Sequence, residues 1–380
     1  MISEVLSGAR RWHVECCRAE ALEPQLPDGC VDLILTDPPF HKVKDLAWDR
    51  EHATADAFLR WIGERLRAWR RILAPNGSLY VFASPAMAWG VEGEVRKSFS
   101  VLCNIRWAKP PHSTKAEMFV KEDLRSHFPA SETIIFAEQY GSDSLALGES
   151  QYGAKCDELR GFVFEPLRAY FDAERKRSGL RSGQIQKGMF TRTGARYVFD
   201  RHTFSRSQWE LPTAEQYAAA RDLFNAEGNP EGAPYLREQY EALREQYGAL
   251  RRPFTVSAEV PYTDVWTYPT VQSYPGKHPC EKPRAMADDI IRASSREGGL
   301  VLDLFSGSGV FASSAVALGR RAIACDMDPH WADVSRRRCD EAEVHGVAGQ
   351  KTIAPLPRPP ERAKATPAEG APLQLALFAA

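Results

Sequence analysis

Hydrophobic positions along the chain follow two periods. Apolar runs at 31–35 and 300–305 end in a proline pair and in a glycine-serine turn, a pattern that predicts buried parallel strands. Residues 52–73 instead carry apolar side chains at helical spacing. Further strands are predicted at 78–84, 132–138 and 321–325, with a turn at Asn76–Gly77 before the first of them. Strands that alternate with helices predict an α/β fold with a mainly parallel sheet.

The middle of the chain, about 140–260, breaks this alternation. It is richer in Arg, Gln and Tyr and favours helices, and the near-repeat at 237–250 has apolar residues at heptad spacing. Two heptads are few for a coiled coil, so a helix packed on a local core is favoured. We therefore predict four segments: an α/β half at 1–139, an inserted region at 140–260, a second α/β half at 261–350 and a Pro/Ala-rich, disordered tail at 351–380.

Composition excludes several classes of protein. The chain has 380 residues, of which 43% are hydrophobic and 26% charged, as in ordinary globular proteins. It shows no membrane-length apolar run, no signal peptide and no cysteine spacing typical of a zinc site, so we expect a cytoplasmic protein with reduced thiols. Although the net charge is −1, residues 155–206 hold twelve Lys/Arg against six Asp/Glu. Such a basic segment is compatible with a phosphate backbone as partner and equally with a solvated surface.

The segment 303–309, D-L-F-S-G-S-G, predicts a ligand-binding turn between a strand and a helix. Glycines there let the backbone approach a ligand closely, although the spacing departs from that of dinucleotide-binding and phosphate-binding loops. Asp326 ends the next strand, where a carboxylate suits a ribose diol. The pairing of turn and carboxylate favours a nucleoside ligand over an ordinary capped turn.

A second candidate site is Asp37-Pro38-Pro39-Phe40, at the end of the strand at 31–35. The prolines fix the backbone and leave carbonyl groups as acceptors. A carboxylate beside a proline carbonyl matches an NH2 group with two donors, and Phe40 offers a flat face for a base. These residues therefore indicate a site for an exocyclic amine on a planar ring, whereas a plain β-turn with a packed Phe is the alternative.

Together the two motifs resemble the S-adenosylmethionine-dependent DNA amino-methyltransferases, in the permuted order called the β class. That order places D-P-P-[YFW] first, then a target-recognition region, then D-x-F-x-G-x-G. Further matches lie over about 12–138 and 262–344: Leu26–Gly29, Trp48-Asp49, Trp107 with Lys109, the element 278–283 (H-P-C-E-K-P), and Asp326 with Asp328. The middle resembles the helix-turn-helix-like insert of phage-type adenine methylases, with a recognition helix within 182–210.

This resemblance implies a permuted Rossmann-like methyltransferase domain of class I with a mostly helical recognition insert. It implies that double-stranded DNA is the partner, that the target base is flipped out of the helix, and that S-adenosylmethionine is the cofactor. The implied catalytic residues are Asp37, Pro38, Pro39 and Phe40. The implied cofactor-binding residues are Asp303, Phe305, Ser306, Gly307, Ser308, Gly309, Asp326, Lys282 and Pro283, with no metal.

Asp at the first catalytic position favours N6-adenine as the target; N4-cytosine, an RNA or protein amide, and a non-catalytic DNA-binding regulator are the alternatives. The family often forms homodimers. At the end of the tail, Gln374, Leu375, Leu377 and Phe378 resemble the peptide by which bacterial proteins bind the sliding clamp. A chance pentapeptide explains that match about equally well. A clamp peptide would imply a bacterial or phage protein that acts at the nucleoid, behind the replication fork.

Overall fold

Two compact units, each with its own hydrophobic core, make up the chain. A computed structural model describes residues 1–110, 127, 129–139, 164–194, 199–205, 209–255 and 263–349. The first unit is Met1–Ala146 with Pro253–Ala380, and the second is Leu147–Arg252. The predicted tail, including positions 374–378, lies outside the described residues, as do 140–163 of the predicted insert.

A single mixed sheet of eight strands is the centre of the first unit in its described part, in the order β1-β8-β7-β2-β3-β5-β4-β6. Neighbouring strands are parallel except that β5 runs antiparallel to both β3 and β4. This architecture confirms the predicted α/β fold with a mainly parallel sheet. The strands are β1 Trp12–Cys16, β2 Val31–Thr36, β3 Leu73–Ala83, β4 Ser100–Ala108, β5 Ser131–Glu138, β6 Val265–Trp266, β7 Leu300–Asp303 and β8 Arg321–Asp326.

Helices cover both faces of this sheet. The described helices of the first unit are α1 Ile2–Ser7, α2 Ala19–Leu22, α3 Ala55–Ile72, α4 Ala88–Ser98, α10 Arg284–Ser294, α11 Val310–Ala317 and α12 Pro329–Gly349. Those of the second unit are α5 Glu165–Ser178, α6 Ser182–Thr193, α7 Phe199–Phe204, α8 Ala214–Glu227 and α9 Tyr240–Leu250. Along β3, Leu79 and Val81 pack with α3 and α4, whereas Tyr80 and Phe82 pack on the other face with α10 and α11. Period-two alternation of buried side chains therefore fills a core on each side.

The predicted turn at Asn76–Gly77 is wrong, because β3 continues through it. Val31 of β2 lies opposite Leu73, and Leu33 lies opposite Ser78, so the extra residues of β3 form a bulge. The Asn-Gly pair changes the register here but does not reverse the chain, since the segments on both sides of it stay paired with β2.

The order of the sheet reverses between β7 and β2. From β7 the chain continues outward to β8 on one side, and from β2 it continues to β3 on the other. Ligands of open α/β sheets bind outside the carboxyl ends of the strands at such a point. Thr36, the last residue of β2, joins the two ends: its hydroxyl donates to Asp303 Oδ1 at 3.3 Å and accepts the Leu304 N–H at 3.2 Å.

All regular elements described in the second unit are helices, as predicted for the insert. Helices α5 to α9 enclose a core that includes Leu167, Phe171, Leu223 and Phe224. Leu243 of the heptad-like segment is buried in that core, so α9 packs within its own unit as expected. Within the described part of the chain, no helix combines the length and apolar character needed to cross a membrane.

Candidate active site

A cavity of about 360 Å³ lies in the first unit, at the carboxyl ends of β2 and β7. Ten of the thirteen residues predicted for catalysis and cofactor binding line it: Asp37, Pro38, Pro39, Phe40, Lys282, Phe305, Ser306, Gly307, Ser308 and Asp326. Pro283, Asp303 and Gly309 do not line the cavity. The fold thus brings together motifs that are more than half the chain apart.

Asp49 determines the shape of the loop after Phe40. Its side chain is buried, and it accepts the Phe40 N–H at 2.8 Å on Oδ1 and the Lys44 N–H at 2.5 Å on Oδ2. Between these contacts His41 and Lys42 have positive φ angles of 59° and 62°, a strained conformation for residues other than glycine. The carboxylate of Asp49 therefore holds a strained loop directly beside the predicted catalytic turn.

Asp37 is paired with Lys282, whose Nζ donates to Asp37 Oδ2. Among the described residues, Asp37 Oδ1 has no hydrogen-bond partner. Burial raises the pKa of Asp37 to about 6, although the ammonium of Lys282 opposes that shift. Lys282 was predicted to bind the cofactor, whereas the structure places its ammonium on Asp37 and 5.1 Å from the ring of Phe40.

Two further charged residues, Lys109 and Glu132, extend this pair. Glu132 Oε1 accepts from Lys109 Nζ at 2.7 Å, and its Oε2 lies 3.5 Å from Lys282 Nζ. Burial alone would raise the pKa of Glu132, but the two ammonium groups lower it overall. Burial would likewise lower the pKa of Lys282, which the two carboxylates raise above its ordinary value.

Sequence reasoning noted Lys109 only as part of a motif, and it missed Glu132. Glu132 stands second in β5, and the antiparallel course of that strand brings its beginning to the carboxyl end of β3. A local pattern does not reveal a strand's direction, so the only signal was a single acid at the start of an apolar run.

The glycine turn after β7 is held by Asp326. The Gly307 N–H donates to Asp326 Oδ2 at 2.7 Å, and the Asp328 N–H donates to Oδ1 at 2.9 Å. Gly309 has φ 77°, and a Cβ added there would lie 2.4 Å from Ser335 Oγ and 2.6 Å from Ser335 Cα. Burial raises the pKa of Asp326 to about 6. The predicted turn thus has a geometric requirement for glycine.

Asp303 lies directly beneath this turn and is 1% exposed. Its Oδ1 accepts from Thr36 and from the Phe305 N–H at 3.2 Å, whereas Oδ2 has no partner among the described residues. Burial raises the pKa of Asp303 well above its ordinary value, and no described Lys or Arg forms an ion pair with it. The arrangement leaves an acceptor that fits a cationic group.

Aromatic side chains form one wall beside the turn. The ring of Phe305 lies edge-on to Trp61, with centroids 5.7 Å apart, and the Trp61 indole donates to Glu20 at 2.6 Å. Trp61 and Glu20 both line the cavity. Trp61 was missed by the sequence reasoning because its place in an amphipathic helix is equally typical of a core residue.

The fold and the cavity together define an α/β protein with a ligand site at the carboxyl ends of its parallel strands. A family model described as DNA methylase (N6_N4_Mtase) matches residues 31–337, and the chain belongs to this family. It is 23% identical over 326 residues to the DNA adenine methyltransferase YhdJ of Escherichia coli, which covers 85% of this chain and 81% of YhdJ.

Other relatives include the type II methyltransferase M.HpaI of Haemophilus parainfluenzae, 22% identical over 87% of this chain and 74% of that protein. Among solved structures, the PvuII DNA methyltransferase, a cytosine-N4-specific enzyme, is 12% identical with a TM-score of 0.48 over 90% of this chain and 94% of that one. Adenine and cytosine enzymes thus both occur among the similar proteins.

Proposed function

We propose that this DNA methyltransferase transfers a methyl group from S-adenosylmethionine to the exocyclic N6 of adenine at a specific DNA sequence. The observation that supports this most is the partnerless Oδ1 of Asp37, a buried acceptor in the same cavity as the glycine turn. An acceptor of this kind suits an NH2 group, and Asp at this position is more typical of adenine enzymes.

The residues of the glycine turn fit the cofactor. Asp303 does not line the cavity, but its Oδ2 lies beneath the turn without a partner among the described residues, and it would attract the ammonium of the methionine part from there. Phe305, Ser306, Gly307, Ser308 and Asp326 line the cavity, and the carboxylate of Asp326 would bind the ribose hydroxyls. S-adenosylmethionine supplies an electrophilic methyl group when bound. Gly309 and Pro283 would act through the backbone, since neither lines the cavity.

In this mechanism, Asp37 and the carbonyl of Pro38 accept the two hydrogens of the target amine. These contacts increase electron density on the nitrogen, whose lone pair would form the new N–C bond as the bond between the methyl group and the sulfonium breaks. The electron pair of that bond would go to sulfur, and one amine proton would leave towards Asp37. Phe40 stacks on the flipped base and fixes its plane. No covalent enzyme intermediate is needed, because positioning and electrostatics supply most of the acceleration.

The predicted insert at 140–260 would recognise the target sequence. Within the second unit, α5 and α6 are joined across Gly179, which has φ 69°. Gln184, Lys187 and Thr191 of α6 are exposed at helical spacing, opposite the buried Ile185 and Met189. A polar helix face of this kind suits a DNA groove. Replacing Gln184 and Lys187 by alanine should reduce methylation or change the DNA sequence that is methylated, without altering the affinity for the cofactor.

Two partner proposals accompany this function. A homodimer would suit duplex DNA, and sedimentation of the full chain tests it. Gln374, Leu375, Leu377 and Phe378 would bind a bacterial sliding clamp, which would raise the local concentration of the enzyme on replicated DNA. Clamp binding by the full chain should disappear in a Gln374→Ala, Leu377→Ala variant.

Modification-sensitive sequencing of DNA from expressing cells tests the central proposal, with Asp37→Ala as the control. We expect N6-methyladenine at one recurring motif, absent in the control. N4-methylcytosine at such a motif would keep the mechanism and overturn the assignment of the base. Absence of both modifications with folded protein would overturn the proposed activity on DNA.

A further inference from the structure

Lys109, Glu132, Lys282 and Asp37 form a row of alternating charges behind the proposed methyl-transfer site. The three successive pairs are Lys109 with Glu132, Glu132 with Lys282, and Lys282 with Asp37. Their side chains are only 21%, 12%, 4% and 14% exposed, in the same order. Two ammonium groups and two carboxylates balance, as a buried cluster requires.

Lys282 and the target amine would share the charge of Asp37, the ammonium on Oδ2 and the amine on Oδ1. The Nζ of Lys282 donates to Oδ2 and also reaches the Cys280 carbonyl at 3.3 Å. A buried ammonium is costly without carboxylate partners, so a second carboxylate has to compensate when the amine draws charge from Asp37. Glu132 Oε2, at 3.5 Å, is that carboxylate. A shift of about 0.7 Å would bring the pair to ordinary charge-assisted hydrogen-bond distance.

We propose that Glu132 is a positioning residue that takes over the ammonium of Lys282 when the target amine occupies Asp37, and that Lys109 orients Glu132 for this exchange. The inference rests on the proposed function. Lys109 suits the role because it holds Oε1 at 2.7 Å and so leaves Oε2 towards Lys282. Its own position is supported by the face of Trp107, 5.3 Å away.

Two opposite consequences follow for the ionisation of Asp37. The described ionisable groups that act on it are Lys282, Glu132, Lys109, Cys280 and Asp303. The charge of Glu132 raises the pKa of Asp37, and the charge of Lys109 lowers it. Neutralising Glu132 should therefore lower the pKa of Asp37, and neutralising Lys109 should raise it. Damage to the fold would not produce shifts of opposite sign.

The experiment measures single-turnover methyl transfer to a duplex with the methylated motif, as a function of pH. The acid limb of the wild-type profile should lie near pH 6, because Asp37 has to be ionised to accept the amine hydrogens. In Glu132→Gln the limb should move about one pH unit lower. In Lys109→Gln it should move about one pH unit higher. Plateau rates should fall in both, with the KM for DNA unchanged.

Two further variants separate charge from structure. Glu132→Asp keeps the charge and shortens the reach, so its limb should stay at the wild-type pH while its plateau rate falls. Glu138→Gln makes the same chemical change on the same strand, about 20 Å away, and should leave the profile unchanged. If Glu132→Gln does not fold, Glu132→Asp and Lys109→Gln still test the inference.

The role of this charge row would be overturned if the acid limbs of Glu132→Gln and Lys109→Gln stay at the wild-type pH. It would also be overturned if both limbs move in the same direction. A wild-type protein that methylates no DNA would instead overturn the proposed function, so the two failures are distinct. Calorimetric titration with S-adenosylmethionine adds a readout besides activity, and it should give the same affinity for Glu132→Gln as for the wild type.

Discussion

The two turns at the cavity follow neighbouring parallel strands, yet their aspartates have different electrostatic surroundings. Asp37 and Asp303 both lose hydration, and burial raises the pKa of each. Within the described part of the chain, Asp37 has a cation beside it, the ammonium of Lys282, whereas Asp303 has none. Asp303 is held by a hydroxyl and a backbone N–H alone. The charge of Asp37 is thus balanced within the chain, whereas a ligand would have to balance that of Asp303.

Both turns are nevertheless fixed in the same way, by a carboxylate that accepts two backbone N–H groups. Asp49 holds the loop after Phe40, and Asp326 holds the glycine turn. Such contacts arrange a site before the ligand arrives, which lowers the entropic cost of reaching the reactive geometry. The comparison therefore predicts that changes in the first turn reduce rate, and that changes in the second reduce cofactor affinity.

Asp37→Asn should have the largest effect. The amide keeps the size of the side chain but removes the charge and presents donors to the amine, so methyl transfer should fall by about 10³-fold. Cofactor affinity, measured by calorimetry, should stay at the wild-type value. Asp45→Asn in the same region, where the side chain is 83% exposed, is the control. Retention of near wild-type rates in Asp37→Asn would remove the basis for the amine site.

Gly309→Ala should come next, with loss of cofactor binding and a fall of about 3 kcal/mol in the free energy of unfolding. The added Cβ would meet the backbone of Ser335 at 2.6 Å. Gly319→Ala is a matched control, because Gly319 also has φ 77° but its nearest neighbouring atom lies at 4.0 Å. Gly319→Ala should lower the free energy of unfolding only by the strain of a left-handed alanine, about 1 kcal/mol. Denaturant titration would show equal losses if the close approach to Ser335 were unimportant.

Phe40→Ala should reduce methyl transfer by about 30-fold, an amount that corresponds to one lost base-stacking contact of about 2 kcal/mol. Phe40→Tyr should retain most of the activity, since the ring is partly exposed and lines the cavity. Single-turnover kinetics on the methylated motif measure both. An alanine variant as fast as the tyrosine variant would argue that the ring packs against protein alone.

Asp303→Asn should have a small effect on stability. Unlike Gly309→Ala, it should raise the free energy of unfolding. Burial raises the pKa of the Asp303 carboxyl in the folded state well above its ordinary value of 3.8, so the folded state binds the proton more tightly than the unfolded chain does. The wild type therefore loses stability as the pH rises above 3.8. The amide removes this loss and should raise the free energy of unfolding by about 1 kcal/mol at pH 8.

Cofactor affinity in the same variant should fall about tenfold, because a charge-assisted contact is replaced by a neutral one. Thermal unfolding across pH and calorimetry provide the two measurements. If Asp303→Asn loses stability at pH 8, or binds the cofactor as well as the wild type, then the charge of Asp303 is not balanced by a cationic ligand.

Predictability from sequence differed among the residues of the site. The D-P-P-F and D-L-F-S-G-S-G motifs were visible because proline and glycine restrict the chain over a few residues. Lys282 was predicted as a cofactor-binding residue, which stays a prediction, but its ion pair with Asp37 was not foreseen because it joins residues far apart in the chain. Glu132 was missed, because its role depends on the antiparallel direction of β5.

By itself, the sequence determined the alternation of strands and helices, both turns, and the resemblance that the family match then supported. Hydrophobic period and turn chemistry act locally, so they can be read along the chain. Only the tertiary structure decided which charges meet, that Asn76–Gly77 is a bulge, and that Asp37 has a lysine where Asp303 has none. Those outcomes depend on strand order and burial, and burial makes each unbalanced charge costly.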